Sequence, residues 1–258
     1  MKKMLFAAAL VATLTLTAAA AEHSKLAKSQ RTGGGNPDAT VKMAPEGNAP
    51  ALCNPCLFYG GDINVNDPNA DGFTDENTLL ISSSSTYGAL NIASGHDALV
   101  NAILFNILAS AAFDPSTASY DIRTGVSEGN GGTEVTSGSG SIKIQATGNV
   151  PFGFTEYTIG VAVNPPITLT GGQTYWFNVT PNCTDGAIDG SCSVGRFFVS
   201  NTTQGTNNVR GTLQPLNQMF LNSVGFGLTW NNWCDFNIFG LNPAQCGALS
   251  YGLVGTGH

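Results

Sequence analysis

The residues best placed to do chemistry are acidic and lie close together in the stretch GDINVNDPNADGFTDE, residues 61–76. Within it, Asp67-x-Asn69-x-Asp71-Gly72 repeats the first half of a calcium-binding loop. Side-chain oxygens at alternate positions converge on one hard cation, the glycine allows the sharp turn, and the carbonyl of Phe73 can join the set. An EF-hand loop would carry a bidentate glutamate where this chain has Thr78, so the closing carboxylate would come from Asp75 or Glu76. No flanking helices are evident. The expectation is a structural Ca2+ site at Asp67, Asn69, Asp71, Phe73, Asp75 and Glu76, weighed against an ordinary solvated turn rich in Asp, Asn and Gly.

A second constellation is aromatic. Trp230 and Trp233 flank Asn231 and Asn232, and Trp176 stands in a strand-like stretch over residues 174–180. Alternation there places Tyr175, Phe177 and Val179 on one side and Trp176, Asn178 and Thr180 on the other. Aromatic faces stack on sugar rings and amides orient sugar hydroxyls, so Trp176, Trp230, Trp233, Asn231 and Asn232 are the candidate ligand-binding residues. The competing expectation is burial, the usual fate of large aromatics.

No catalytic constellation emerges. Gly125-Val126-Ser127-Glu128-Gly129 matches G-x-S-x-G, but a nucleophile elbow needs a helix directly after the serine, and Asn130-Gly131-Gly132-Thr133 follows instead. His96 is the one histidine well inside the folded region, with His23 and His258 near the ends. A multi-histidine metal site is therefore not expected, and His96 reads as a turn or surface residue. Glu128, Glu134 and Glu156 are the carboxylates whose pairing across a cleft would support glycoside cleavage.

The chain opens Met1-Lys2-Lys3, runs apolar to Ala20, and reaches Ala19-Ala20-Ala21 before Glu22. That is the pattern of a secretory signal peptide over residues 1–21, too short for a membrane anchor. Residues 22–50 read as a flexible, disordered leader with a glycine triplet, and residues 51–258 as a single domain. The 10 Lys and Arg include Lys2 and Lys3, so the mature chain keeps 8 basic against 17 acidic residues. Nucleic acid and membrane insertion of the mature chain are not expected, since their surfaces reward clustered cations or long apolar runs.

Export also bears on the six cysteines, Cys53, Cys56, Cys183, Cys192, Cys234 and Cys246. In an oxidising compartment they suit three disulfides, with local pairing 53–56, 183–192 and 234–246 as the expected connectivity. Cys53-Asn54-Pro55-Cys56 lacks the following histidine of haem attachment and the second close pair of a zinc site. Residues 57–61 read as a short strand into a turn, which removes the helix a redox C-x-x-C needs.

The elements positioning these groups are strands. Stretches at 120–123, 142–146, 154–163, 167–169 and 174–180 are rich in β-branched and aromatic residues and separated by Gly, Asn, Ser and Pro. Further strands are expected at 78–82 and 87–92, with the serine run 82–85 as a turn. Residues 98–108 suit a strand or a buried helix, and the strand is favoured by its neighbours. The fold class is all-β, a two-sheet antiparallel β-sandwich of jelly-roll-like form.

Three runs, YDIRTGVSEGNGGT at 120–133, the hairpin LTGGQTYWF at 169–177 and the closing LSYGLVGT at 249–256, resemble secreted bacterial β-sandwich proteins. Many members of that loose group carry C-terminal PEP-CTERM-type sorting tails. The resemblance implies an extracellular jelly-roll-like domain and no catalytic residues. The chain stops at His258 without Pro-Glu-Pro, apolar anchor or basic tail, so sorting by that route is not expected. The favoured function is an exported, non-catalytic polysaccharide-binding module. The alternatives are a self-associating structural or adhesive matrix protein and, third, a jelly-roll glycoside hydrolase or lyase.

Overall fold

The computed structural model describes residues 50–62, 73–75, 84–92, 94–109, 115–182, 197–202, 210–211, 214–223, 227–232 and 248–257. The expected signal peptide, the leader up to residue 49 and the 78–82 strand lie outside them, as do Cys183, Cys192, Cys234 and Cys246.

Strands carry the fold: β1 (Cys56–Tyr59), β2 (Phe73–Asp75), β3 (Ser84–Asn91), β4 (Ala98–Ala109), β5 (Thr117–Thr124), β6 (Thr133–Ala146) and β7 (Thr155–Leu169). These are followed by β8 (Thr174–Asn182), β9 (Phe197–Thr202), β10 (Arg210–Gly211), β11 (Gln214–Ser223), β12 (Leu228–Asn232), β13 (Ala248–Leu249) and β14 (Tyr251–Gly257). All pairings are antiparallel, in the order β10-β1-β14-β4-β7-β6-β5-β8-β3-β11-β12, with β9 joining β4, β2 and β13. The protein is all-β, built on one curled sheet.

The curl is made by β6. Its residues 133–141 pair with β5 and residues 142–146 with β7, so one strand carries the sheet from one half into the other. Inner faces of both halves then bury the same core, which includes Leu90, Phe105, Ile122, Val161, Phe177 and Tyr251. Residues 98–108 do form a strand. From Ile103 to Ala109 every residue of β4 is buried, and a strand covered on both faces shows the near-continuous apolar run that otherwise suggests a helix.

Tyr251 of β14 sits where the halves meet. Its ring is fully buried, with centroids 5.2 Å from Phe58, 5.8 Å from Phe105 and 5.7 Å from Phe177. The hydroxyl donates to the Ala89 carbonyl at 2.8 Å, which ties β14 to β3 in the opposite half. Gly88 lies directly under this ring, and a side chain there would put Cβ 3.0 Å from Tyr251 Cε1.

Three expectations need correction. Ser84 and Ser85 begin β3 rather than forming a turn, pairing with Ser223 and Asn222. Pro165-Pro166 does not end a strand: β7 continues to Leu169, and its pairing with β4 shifts register between Val100 and Ala102, a bulge being where a sheet tolerates proline. Residues 169–177 are not a hairpin, because β8 leaves β7 and pairs with β5 and β3.

The disulfide expected between Cys53 and Cys56 is present, with S–S 2.09 Å. Cys53 is buried against Tyr59, Leu104 and Val254, so the bridge clips the segment entering β1 onto the outside of β4.

Replacing Tyr251 by alanine is expected to cost about 3–5 kcal/mol through the cavity, and Tyr251→Phe about 1 kcal/mol through the lost hydrogen bond, both measured by urea unfolding. Burial also raises the Tyr251 phenol well above its ordinary range. The folded state thus favours the protonated phenol, a contribution complete below about pH 10 and lost as pH climbs toward the raised value. Tyr251→Phe should accordingly lose less stability than the parent between about pH 9 and 11.

Candidate functional site

Alternation along three neighbouring strands decides which side chains leave the core. Tyr120 and Ile122 of β5, Tyr175 and Phe177 of β8, and Leu90 of β3 point inward. Their neighbours Asp121, Arg123, Trp176, Tyr87 and Ala89 therefore share the outer face. Arg123 stands opposite Trp176, and Asp121 opposite Asn178. Tyr87, Ala89, Val126, Trp176 and Phe220 form a second apolar cluster there, with Trp230 packed against it.

The β5–β6 turn and strand β12 meet over this face. The G-x-S-x-G run is a tight turn closed by mutual Ser127 and Asn130 backbone hydrogen bonds of 2.9 and 2.8 Å, with Glu128 in the turn. Glu128 grips β12: Oε1 accepts from Asn231 Nδ2 and Oε2 from the Asn232 backbone amide, each at 2.7 Å. Gly129 N donates to the Trp230 carbonyl at 3.0 Å, and Thr229 N donates to Asn231 Oδ1 at 3.0 Å. Between these bonds Trp230 adopts φ 51°, the one non-glycine residue with positive φ among the described residues. That conformation is strained for a bulky side chain.

The half-buried indole is held from several sides. Its ring lies 4.8 Å from that of Tyr87 at 44°, and the Arg123 guanidinium sits 5.1 Å from its centre, within cation–π range. Gly131 passes so close that a Cβ there would fall 2.4 Å from indole Cε2. Glycine alone fits.

Arg123 donates from Nε to Asp121 Oδ2 at 2.6 Å and from Nη1 to the Gly131 carbonyl at 3.0 Å, with Glu134 Oε2 3.6 Å from Nη2. Tyr87 donates to the same Asp121 Oδ2 at 2.7 Å. Burial, then the Asp121 charge and hydrogen bond, push the Tyr87 phenol well up. For Arg123, burial pulls downward, but the hydrogen bond and charge of Asp121 outweigh it and leave the guanidinium raised. With both donors on Oδ2, Asp121 Oδ1 is buried without a hydrogen-bond partner among the described residues, and so is Trp176 Nε1.

Of the residues singled out from sequence, Trp176, Trp230, Asn231 and Asn232 are brought to one patch. Trp176 is only 7% exposed, which leaves Trp230 as the more accessible indole. Trp233 lies outside the described residues, as do Asp67, Asn69, Asp71 and Glu76, while Phe73 and Asp75 lie on β2, paired with Ser200 and Phe198 of β9. His96 is exposed. Sequence reasoning missed Tyr87, Asp121, Arg123 and the clamping role of Glu128. A signal did exist: Tyr120-Asp121-Ile122-Arg123 alternates inward apolar with outward charged residues in a chain only 10% charged.

The three glutamates considered for glycoside chemistry do not share one face, since Glu156 is interior while Glu128 and Glu134 lie at the outer-face patch. Glu128 belongs to the β5–β6 turn, Glu134 is exposed on β6, and Glu156 is fully buried on β7. Glu156 belongs instead to an interior network with Tyr59, Asp62, Asn106 and Thr158. Asn106 Nδ2 donates to Asp62 Oδ1 and Glu156 Oε1, each at 3.1 Å, and Thr158 donates to Asn106 Oδ1 at 2.9 Å. Thr147 and Asn149 donate to Glu156 Oε2, both at 2.9 Å. Tyr59 donates to Asp62; burial first, then the Asp62 charge, raise its phenol well above the ordinary range. Satisfied and sealed, this network braces β1, β4 and β7.

Comparison with protein-family models, curated proteins and solved structures found no match to the chain.

Glu128→Ala should release β12 while leaving the main core intact. The expected result is faster hydrogen exchange at the Asn232 amide and altered Trp230 fluorescence, with the urea midpoint nearly unchanged because the clamp is solvent-exposed.

Proposed function

We propose that the protein is an exported, non-catalytic jelly-roll-like β-sandwich that binds extracellular polysaccharide through the outer-face patch around Trp230. The observation carrying this reading is the strained, over-determined placement of Trp230. Its backbone is held at φ 51° by contacts from a turn about a hundred residues earlier in the chain, and its indole remains half-buried beside paired asparagines. A fold keeps such strain where the surrounding structure enforces it, commonly at a functional site. On this held backbone the indole at the rim of the cluster offers an apolar ring face, and the neighbouring amides and charged groups offer hydrogen bonds for sugar hydroxyls.

The finer fold reading is supported by the curl, which brings two halves of the sheet over one core. Export rests on the N-terminal pattern and is compatible with the Cys53–Cys56 disulfide. In this proposal residues 67–76 hold a structural calcium ion.

Self-association through a sheet edge is the weaker reading. β12 ends the strand order, yet its Trp230 carbonyl and Asn232 amide are already bonded to the β5–β6 turn. An occupied edge is a poor template for another strand.

Retention of the oxidised protein on immobilised polysaccharides, with Ca2+ and with EDTA, tests the proposal. Selective retention on a polymer is expected, weakened about tenfold or more by Trp230→Ala and reduced by EDTA if the calcium loop supports the site. Absence of retention, or retention unaffected by Trp230→Ala and Asn231→Ala, would overturn it.

A further inference from the structure

We infer that the ligand is an uncharged glycan, and that its hydroxyl groups are read next to the Trp230 indole by two specific atoms: the Trp176 Nε1–H as donor and Asp121 Oδ1 as acceptor. This inference rests on the polysaccharide-binding reading and specifies the chemistry of that site.

Register brings the two atoms' residues together. Arg123 pairs with Trp176 and Asp121 with Asn178, so Asp121 and Trp176 are diagonal neighbours on the outer face. Both atoms are buried, and neither has a hydrogen-bond partner among the described residues. Buried polar atoms are nearly always paired, and one left unpaired calls for an explanation such as a ligand. Here the unpaired atoms are one donor and one acceptor, on diagonal neighbours of one face. A hydroxyl group can both donate and accept, so neighbouring sugar hydroxyls complement the pair.

The remaining polar groups set the charge preference. Asp121 and Glu134 both contact Arg123, Glu128 is bonded to the neighbouring β12, and the guanidinium is already committed to Asp121, the Gly131 carbonyl, Glu134 and the Trp230 face. A uronate or sulfate would meet carboxylates with no uncommitted cation beside them among the described residues, in a chain of net charge −7. Like-charge contacts of this kind reject a partner more strongly than they weaken the right one. Access requires the Trp230 indole to shift. Trp230 is the half-buried member of the cluster, lying at its rim, whereas Trp176 is 7% exposed. Displaced from Tyr87, the indole would still be free to stack on the sugar it admits.

The test is affinity electrophoresis of the full mature protein in gels holding neutral polymers (dextran, hydroxyethylcellulose, galactomannan, laminarin) or anionic ones (alginate, polygalacturonate). Two variants join the parent. Trp176→Phe removes the N–H. Asp121→Asn is isosteric, and because Tyr87 and Arg123 both donate to Oδ2 the amide oxygen stays there, placing an NH2 donor where Oδ1 accepted. Expected are retention of the parent by at least one neutral polymer and by neither anionic one, with about a tenfold loss of affinity in each variant. Asp121→Asn should fold normally by circular dichroism, and so decides the matter if Trp176→Phe does not fold. Parent-like retention of folded Asp121→Asn would overturn the assigned atoms while leaving polysaccharide binding standing. Retention of the parent by alginate or polygalacturonate would overturn the uncharged class, and retention by no polymer would overturn both readings together.

Discussion

The ring of Tyr251 is the contact on which the rest of the structure depends. A single antiparallel sheet has two faces and would leave its apolar one in water unless it curled onto itself. β6 supplies the passage between halves, but the closure needs something large to fill the meeting point. Tyr251 does so from β14, touching Phe58 and Phe105 in its own half and Phe177 in the other. Its single polar atom is satisfied by the Ala89 carbonyl. Gly88 is the complementary constraint, since a side chain there would press on that ring and push it by a few tenths of an ångström.

Anchoring β3 in this way also fixes the outer face. Once Leu90, Ile122 and Phe177 are committed to the core, a period of two leaves no choice for Ala89, Arg123 and Trp176. The resulting outer cluster is too small to be sealed by the sheet alone. Trp230 and the β5–β6 turn cover it, and the cover is held by polar contacts from Glu128 and Arg123 as well as by the Trp230 ring on Tyr87. An arrangement that is half apolar and half hydrogen-bonded, with unpaired polar atoms beneath, suits an amphipathic ligand better than an interior. The opposite half shows the contrast: there the network of Tyr59, Asp62, Asn106, Thr158 and Glu156 is buried and bonded throughout.

Much of this was legible in the sequence where the information is local. The alternation around Trp176, the strand nature of residues 57–59 and 98–108, and the missing helix after Ser127 all follow from neighbours a few positions apart. What was not legible depends on distant pairing. Ser84 and Ser85 become strand residues only because β11 lies beside them, and residues 169–177 look like a hairpin although β8 finds its partners in the other half. The Glu128 clamp joins residues 103 and 104 positions apart, a relation no window of sequence displays. Trp230 was singled out for its company of Trp and Asn, but its strained backbone and its stacking with Arg123 belong to the folded chain alone.

The central claim is that ligand enters at the outer-face cluster and reaches Trp176. The most direct measurement follows the indole N–H resonances of the 15N-labelled protein during titration with a neutral oligosaccharide. The Trp176 signal should move and gain protection from solvent exchange as it acquires a hydrogen-bond partner, with Asn231 and Asn232 amides shifting alongside while amides flanking Tyr251 stay in place. An unmoved Trp176 indole at saturating oligosaccharide, or shifts confined to another face of the sheet, would contradict the account.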